Sequence, residues 1–80
     1  MSFSKVSYKD PAKKGDILFF KDPDPTIAGK WVRVASGPDI REFDDFEEWA
    51  EAEREEIYDD MIVVLEGGTE VYTRELYRGS

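Results

Sequence analysis

Apolar and polar positions change period along this chain, and each change marks an element. In KWVRVAS, Lys30 to Ser36, the residues Trp31, Arg33 and Ala35 fall on one side and Val32 and Val34 on the other. That period of two predicts a half-buried β-strand. GDILFFK, Gly15 to Lys21, is a short β-branched and aromatic run that predicts a strand before it. Between them DPDPTIAG reads as a loop, because Pro23 and Pro25 lack backbone donors. Gly37-Pro38-Asp39 reads as a turn, and DIREF after it as a brief third strand. MIVVLEGGTEVYT predicts a hairpin, since the Gly67-Gly68 pair supplies the positive φ angles a tight turn demands. RELYR then reads as a short terminal turn.

The period shifts between Asp44 and Asp60. Asp44, followed three residues later by Glu47, predicts a capping-box start with Asp44 as the N-cap. The spacing predicts a helix over 45–58, with Ala50, Ala52 and the surrounding Glu residues favouring it. At about 100° per residue, Phe46, Ala50 and Ile57 form a narrow docking stripe. The carboxylates fill the remaining arc, with Trp49 at its edge and Tyr58 among the acids. The expected architecture is α+β: one small antiparallel sheet of four to five strands, with one acidic amphipathic helix inserted before the C-terminal hairpin. All eighty residues form a single domain on this reading, with residues 1–13 as a basic N-terminal arm.

Charge sharpens the picture. The net charge is −8, yet Asp39 to Asp60 alone holds twelve acids and two bases, and the rest of the chain is net positive. Such a balance repels nucleic-acid phosphates and anionic membranes and favours a basic protein partner. Ten carboxylates between Asp44 and Asp60 would span about 26 Å of helix at ~1.5 Å per residue. That is about one charge per 2.6 Å, between the ~1.7 Å of duplex DNA and the ~3.4 Å of one strand. Acidic helices also serve solubility alone, and a purely solvated face is the alternative reading.

Most chemistry is missing from the inventory. There is no cysteine and no histidine, so no thiolate, imidazole base or His metal ligand is available. Ser and Thr have no evident activator, and EGGTE is too short to cradle phosphates. Asp22 and Asp24 in KDPDPT read as turn residues rather than a metal pair. The expectation is no enzyme, no cofactor and no metal. No apolar run approaches the ~20 residues of a membrane span or resembles a signal peptide, which points to the cytoplasm.

The KGDIL strand, the GKWVRV strand and the closing VVLEGGTEVYTRELY resemble the small SH3-like barrels, Tudor-like modules in particular. The resemblance covers residues 14–36 and 61–78 and implies a barrel-like sheet whose last hairpin ends in a short turn with a Leu, here Leu76. An aromatic cage on it would draw on Trp31, Tyr72 and Tyr77, which read equally well as core. In size and charge the chain is also similar to small acidic phage proteins that mimic DNA. The candidate partner-binding residues are therefore Asp44, Asp45, Glu47, Glu48, Trp49, Glu51, Glu55, Glu56, Tyr58, Asp59 and Asp60. They would present an acidic helix to a basic, nucleic-acid-binding protein, making this chain an inhibitor or adaptor. The alternative is a structural or regulatory subunit that docks through its sheet.

Overall fold

The computed structural model describes residues 2–79; Met1, the first residue of the expected arm, and Ser80 lie outside the described residues. Six strands are present: β1 Phe3–Lys5, β2 Ile17–Phe20, β3 Lys30–Ser36, β4 Ile62–Leu65, β5 Glu70–Tyr72 and β6 Leu76–Gly79. They form one antiparallel sheet in the order β1-β6-β2-β3-β4-β5. The sheet is open: β1 and β5 are its edges, and no pairing between them closes a barrel among the described residues. One helix, α1 Glu51–Asp59, precedes the β4–β5 hairpin.

The alternation in β3 holds. Val34 is buried and Val32 packs against the core, while Trp31 and Arg33 face solvent. The hairpin turn also forms: Gly67 and Gly68 adopt φ of 98° and 91°, where a side chain would be strained. Gly68 N–H donates to the Leu65 carbonyl at 2.9 Å.

Several expectations need correction. The basic arm contributes strand β1 and, beyond it, three core residues, Val6, Tyr8 and Ala12. Arg78 holds the following loop, contacting the Asp10 and Asp16 carboxylates at 3.0 and 3.3 Å. DIREF is a 3-10 turn at Ile40–Glu42, not a strand. Pro38 offers no ladder donor, and the Asp39 carboxylate accepts the Arg41 N–H at 2.9 Å, so the chain turns instead of extending. Thr73–Glu75 is the expected short turn, but residues from Leu76 on form a sixth strand paired with both β1 and β2.

The largest departure is the helix. It begins at Glu51, after a separate 3-10 turn at Phe46–Glu48 and an extended break at Trp49 and Ala50. Ala50 is the N-cap, without a side-chain hydrogen bond, so Asp44 caps nothing here. Ala50 is exposed and drops out of the docking stripe, while Phe46 and Ile57 pack on the core as expected. A continuous helix would have left Trp49 facing outward. The break lets Phe46 and Trp49 both turn inward, their rings 6.4 Å apart and near perpendicular. Arg54 then staples turn to helix: its guanidinium lies 4.1 Å from the Phe46 ring centroid, and its Nε donates to the Phe46 carbonyl at 3.1 Å.

Tyr58 is fully buried rather than set among the acids. Its carbonyl accepts from the buried Thr73 hydroxyl and, at 3.0 Å, from the Met61 N–H. These bonds satisfy an orphan carbonyl at the C-terminus of α1 and tie it to the turn before β6.

Candidate interaction surfaces

Two surfaces stand out, one acidic and one aromatic. The acidic surface divides into paired and unpaired halves. Lys5 pairs with Asp59, Lys9 with Glu51, and Arg74 with Asp60 at 2.8 Å; the Ser7 hydroxyl donates to Glu55. These four candidate acids therefore hold the arm and the turn before β6. The hydrogen bond and charge of Lys9 keep the Glu51 carboxyl below the usual range, and Glu51 raises Lys9 in return.

Asp44, Asp45, Glu47, Glu48 and Glu56 are exposed and form no ion pair among the described residues. Glu42 and Glu53, missing from the sequence-derived set, share that state. The unpaired acids make a ridge along the two 3-10 turns and the outer side of α1. Trp49 is half-buried beneath it, its ring 5.7 Å from Phe43. Phe43 itself is 46% exposed and sits among Glu42, Asp44 and Asp45. It takes the place at the ridge that sequence reasoning assigned to Trp49 and Tyr58. The spacing Phe43, Phe46, Trp49 is three throughout, the period of a 3-10 turn, and was a readable signal.

The aromatic surface lies on the solvent side of the sheet. Register places Tyr77, Phe19 and Trp31 side by side on β6, β2 and β3. Phe3 on the edge strand β1 closes the group, with ring centroids 5.1 Å from Phe19 and 5.9 Å from Trp31; Phe19 and Trp31 are 5.4 Å apart. Gly79 makes room for them, since a Cβ there would lie 2.8 Å from the Trp31 indole. Trp31 and Phe3 remain 51% and 44% exposed. Beside them a groove of ≈ 490 Å³ is lined by Phe3, Phe19, Ile27, Tyr77 and Lys21 among others. The Lys21 ammonium stands 6.0 Å from the Tyr77 ring.

The three residues suggested for an aromatic cage do not meet. Ring contacts join Trp31 to Phe3 and Phe19, while Tyr72 lies on the far edge strand under Arg74, 4.7 Å from its ring. Asp22 and Asp24 form successive turns, Asp22 accepting from Asp24 N–H and Asp24 from the Thr26 N–H and hydroxyl. Those bonds lower the Asp24 pKa. Among the described residues no group of three or more acids is placed to hold a metal ion, and no helix is long and apolar enough to cross a membrane. No protein-family model, curated protein or solved structure matches the chain.

Proposed function

We propose that this protein acts by protein–protein contact, as an inhibitor or adaptor that presents its acidic ridge to a basic surface. A nucleic-acid-binding protein is the class of partner whose groove fits such a ridge. The observation that carries the reading is the segregation of the acids. The arm and Arg74 engage Glu51, Glu55, Asp59 and Asp60, while Asp44, Asp45, Glu47, Glu48, Glu53 and Glu56 are left unpaired together. Crowded like charges destabilise a fold, and a cationic partner offsets that cost. Mimicry of DNA would rest on this unpaired set rather than on one regular helix, because α1 is only nine residues, about 14 Å at ~1.5 Å per residue.

The test is capture of basic proteins from a lysate by the immobilised chain. The comparison is with a variant carrying Asp44→Lys, Asp45→Lys, Glu47→Lys and Glu48→Lys. The wild type retains a partner that elutes with salt and with added duplex DNA, and the variant does not. Equal capture by both proteins overturns the reading.

A second reading is favoured by the aromatic group in which Phe3 and Trp31 are exposed around the half-buried Phe19: a structural or regulatory subunit that docks through its sheet. In that sheet the meander β2-β3-β4-β5 is followed by the short turn with buried Leu76, which leads β6 back beside β2 and leaves the sheet open rather than closed into a barrel. On this reading Trp31→Ala abolishes binding and the ridge variant retains it.

A further inference from the structure

We infer that a second copy of this chain adds to the free edge of the sheet, its β5 pairing antiparallel with β5 about a two-fold axis at Val71. The inference stands apart from the ridge reading above, since β5 carries none of the ridge acids.

The backbone of β5 has one used side and one unused side. Thr73 N–H donates to the Met61 carbonyl and Leu65 N–H to the Thr69 carbonyl, so in the register Val63↔Val71 the peptide groups of Val71 face β4. Along an antiparallel strand these groups alternate in direction. The N–H and C=O of Glu70 and Tyr72 therefore point away from the sheet, and no backbone partner meets them among the described residues. Natural sheets guard such an edge with lysine, proline or a bulge. The other edge, β1, carries Lys5, whereas β5 is Glu70-Val71-Tyr72 and holds none of these guards.

The edge is complementary to itself in one register. Setting Glu70 opposite the partner's Tyr72, and Tyr72 opposite the partner's Glu70, engages every outward peptide group of both strands. Val71 then meets its own counterpart on the buried side of the sheet. Glu70 and Tyr72 point to the outer side, where the Arg74 guanidinium lies 4.7 Å from the Tyr72 ring centroid. The partner's Glu70 carboxylate, directly across from Tyr72, thus arrives beside Arg74, and the two-fold axis repeats that pair. Glu70 is exposed and forms no ion pair within its own chain among the described residues. Arg74 engages Asp60 through one nitrogen, which leaves the rest of its donor fork for a second carboxylate. Other registers fit worse: Glu70 opposite Glu70 faces like charges, and Tyr72 opposite Tyr72 pairs Glu70 with the 3-10 turn instead of a strand. Ile62, exposed beside Tyr72 on β4, gives the outer side of this edge further apolar surface.

Sedimentation velocity on the full chain over a concentration series tests this, with hydrogen exchange read at the Glu70 and Tyr72 amides. Physiological ionic strength is used, where repulsion between two chains of charge −8 is screened beyond about 8 Å. The wild type is expected to pass from one chain to two and stop there, because a two-fold contact closes on itself. Both amides should become protected as the dimer fills. Tyr72 has a φ of −79°, which proline adopts, so Tyr72→Pro removes an outward N–H and leaves the β4 ladder intact. It should weaken the dimer by at least about tenfold relative to Tyr72→Ala, which also lacks the ring but keeps the donor. Glu70→Arg and Arg74→Glu should each stay monomeric alone and form a mixed dimer when combined. Circular dichroism checks that each variant remains folded; where one does not, amide exchange in the wild type decides. A wild type that stays monomeric, with both amides unprotected at every concentration, overturns the inference and leaves the edge to a strand of another protein. A dimer that Tyr72→Pro leaves unchanged, or that the mixture of charge variants fails to restore, overturns it too.

Discussion

The Ala12 N–H donates to the Tyr58 hydroxyl across 2.8 Å, joining the N-terminal loop to the helix at 46 residues' separation. Both residues are buried, so no water replaces either partner. Tyr58→Phe keeps the ring and orphans the Ala12 N–H. The expected loss is about 1–3 kcal/mol, read as a lower urea midpoint at unchanged slope. Burial also pushes the Tyr58 phenol above its ordinary value, and the folded state favours the neutral form. Stability therefore falls as pH rises past the unfolded value of about 10. An ultraviolet titration shows a phenol ionising above that pH in the wild type and absent from Tyr58→Phe.

Gly37 is where the same loop crosses the end of β3. A Cβ at Gly37 would sit 1.9 Å from the Ala12 carbonyl oxygen, a backbone atom that cannot swing aside. Gly37→Ala is expected to cost about 3 kcal/mol by overpacking. It should also weaken the Ala12–Tyr58 bond. Thermal midpoints of Gly37→Ala, Tyr58→Phe and the double variant check this: coupled sites give a double variant less destabilised than the sum.

How far the sequence reveals all this depends on the range of the forces involved. Strands β2 to β5 are legible because alternation in β3 and the Gly67-Gly68 pair are local properties. The segment after β1 also left a local trace, the alternation of buried Val6, half-buried Ser7 and buried Tyr8, hidden beneath the lysines around it. The helix start was not legible from propensity. Glu and Ala favour helix from Asp45 on, but packing of Phe46 and Trp49 against the core goes with a 3-10 turn from Phe46 and an extended break at Trp49 and Ala50. Tyr58 is similar: its angular position depends on where the helix starts and on a partner at Ala12. The acid run itself was plain; which acids the arm neutralises depended on β1 pairing with β6.

Acid should loosen the turn after β3. The Arg41 guanidinium donates to both Asp39 oxygens at 2.9 Å, and the Arg41 N–H donates to one of them. These bonds hold the Asp39 carboxyl below the usual range. A pKa depressed by folding gives stability that is fully present above the unfolded value of about 3.9 and lost as pH falls through the folded value. Asp39→Asn keeps an acceptor for the turn but does not titrate. Its thermal midpoint should lie below that of the wild type near neutrality, and the gap should narrow in acid. A constant gap would show that Asp39 does not carry this dependence.

The two tryptophans report on the two surfaces separately. Trp31 is half exposed on the aromatic face, and Trp49 is partly covered by Phe43 and Phe46 under the acidic ridge. With Trp49→Phe, the remaining Trp31 should emit at longer wavelength and be quenched more strongly by acrylamide than Trp49 is in Trp31→Phe. Iodide adds a charge test. Asp44, Asp45, Glu47 and Glu48 repel an anion near Trp49, whereas the unpaired Lys21 draws it toward the aromatic sheet face. The ratio of iodide to acrylamide quenching should therefore be several-fold lower for Trp49 than for Trp31 at low salt. Added salt should bring the two ratios together, because surface charges are screened beyond about 10 Å at ~0.1 M. Replacing Asp44 and Asp45 by Asn should raise the ratio for Trp49 alone. If it does not change, the ridge lacks the one-sided field that the proposed partner is meant to read.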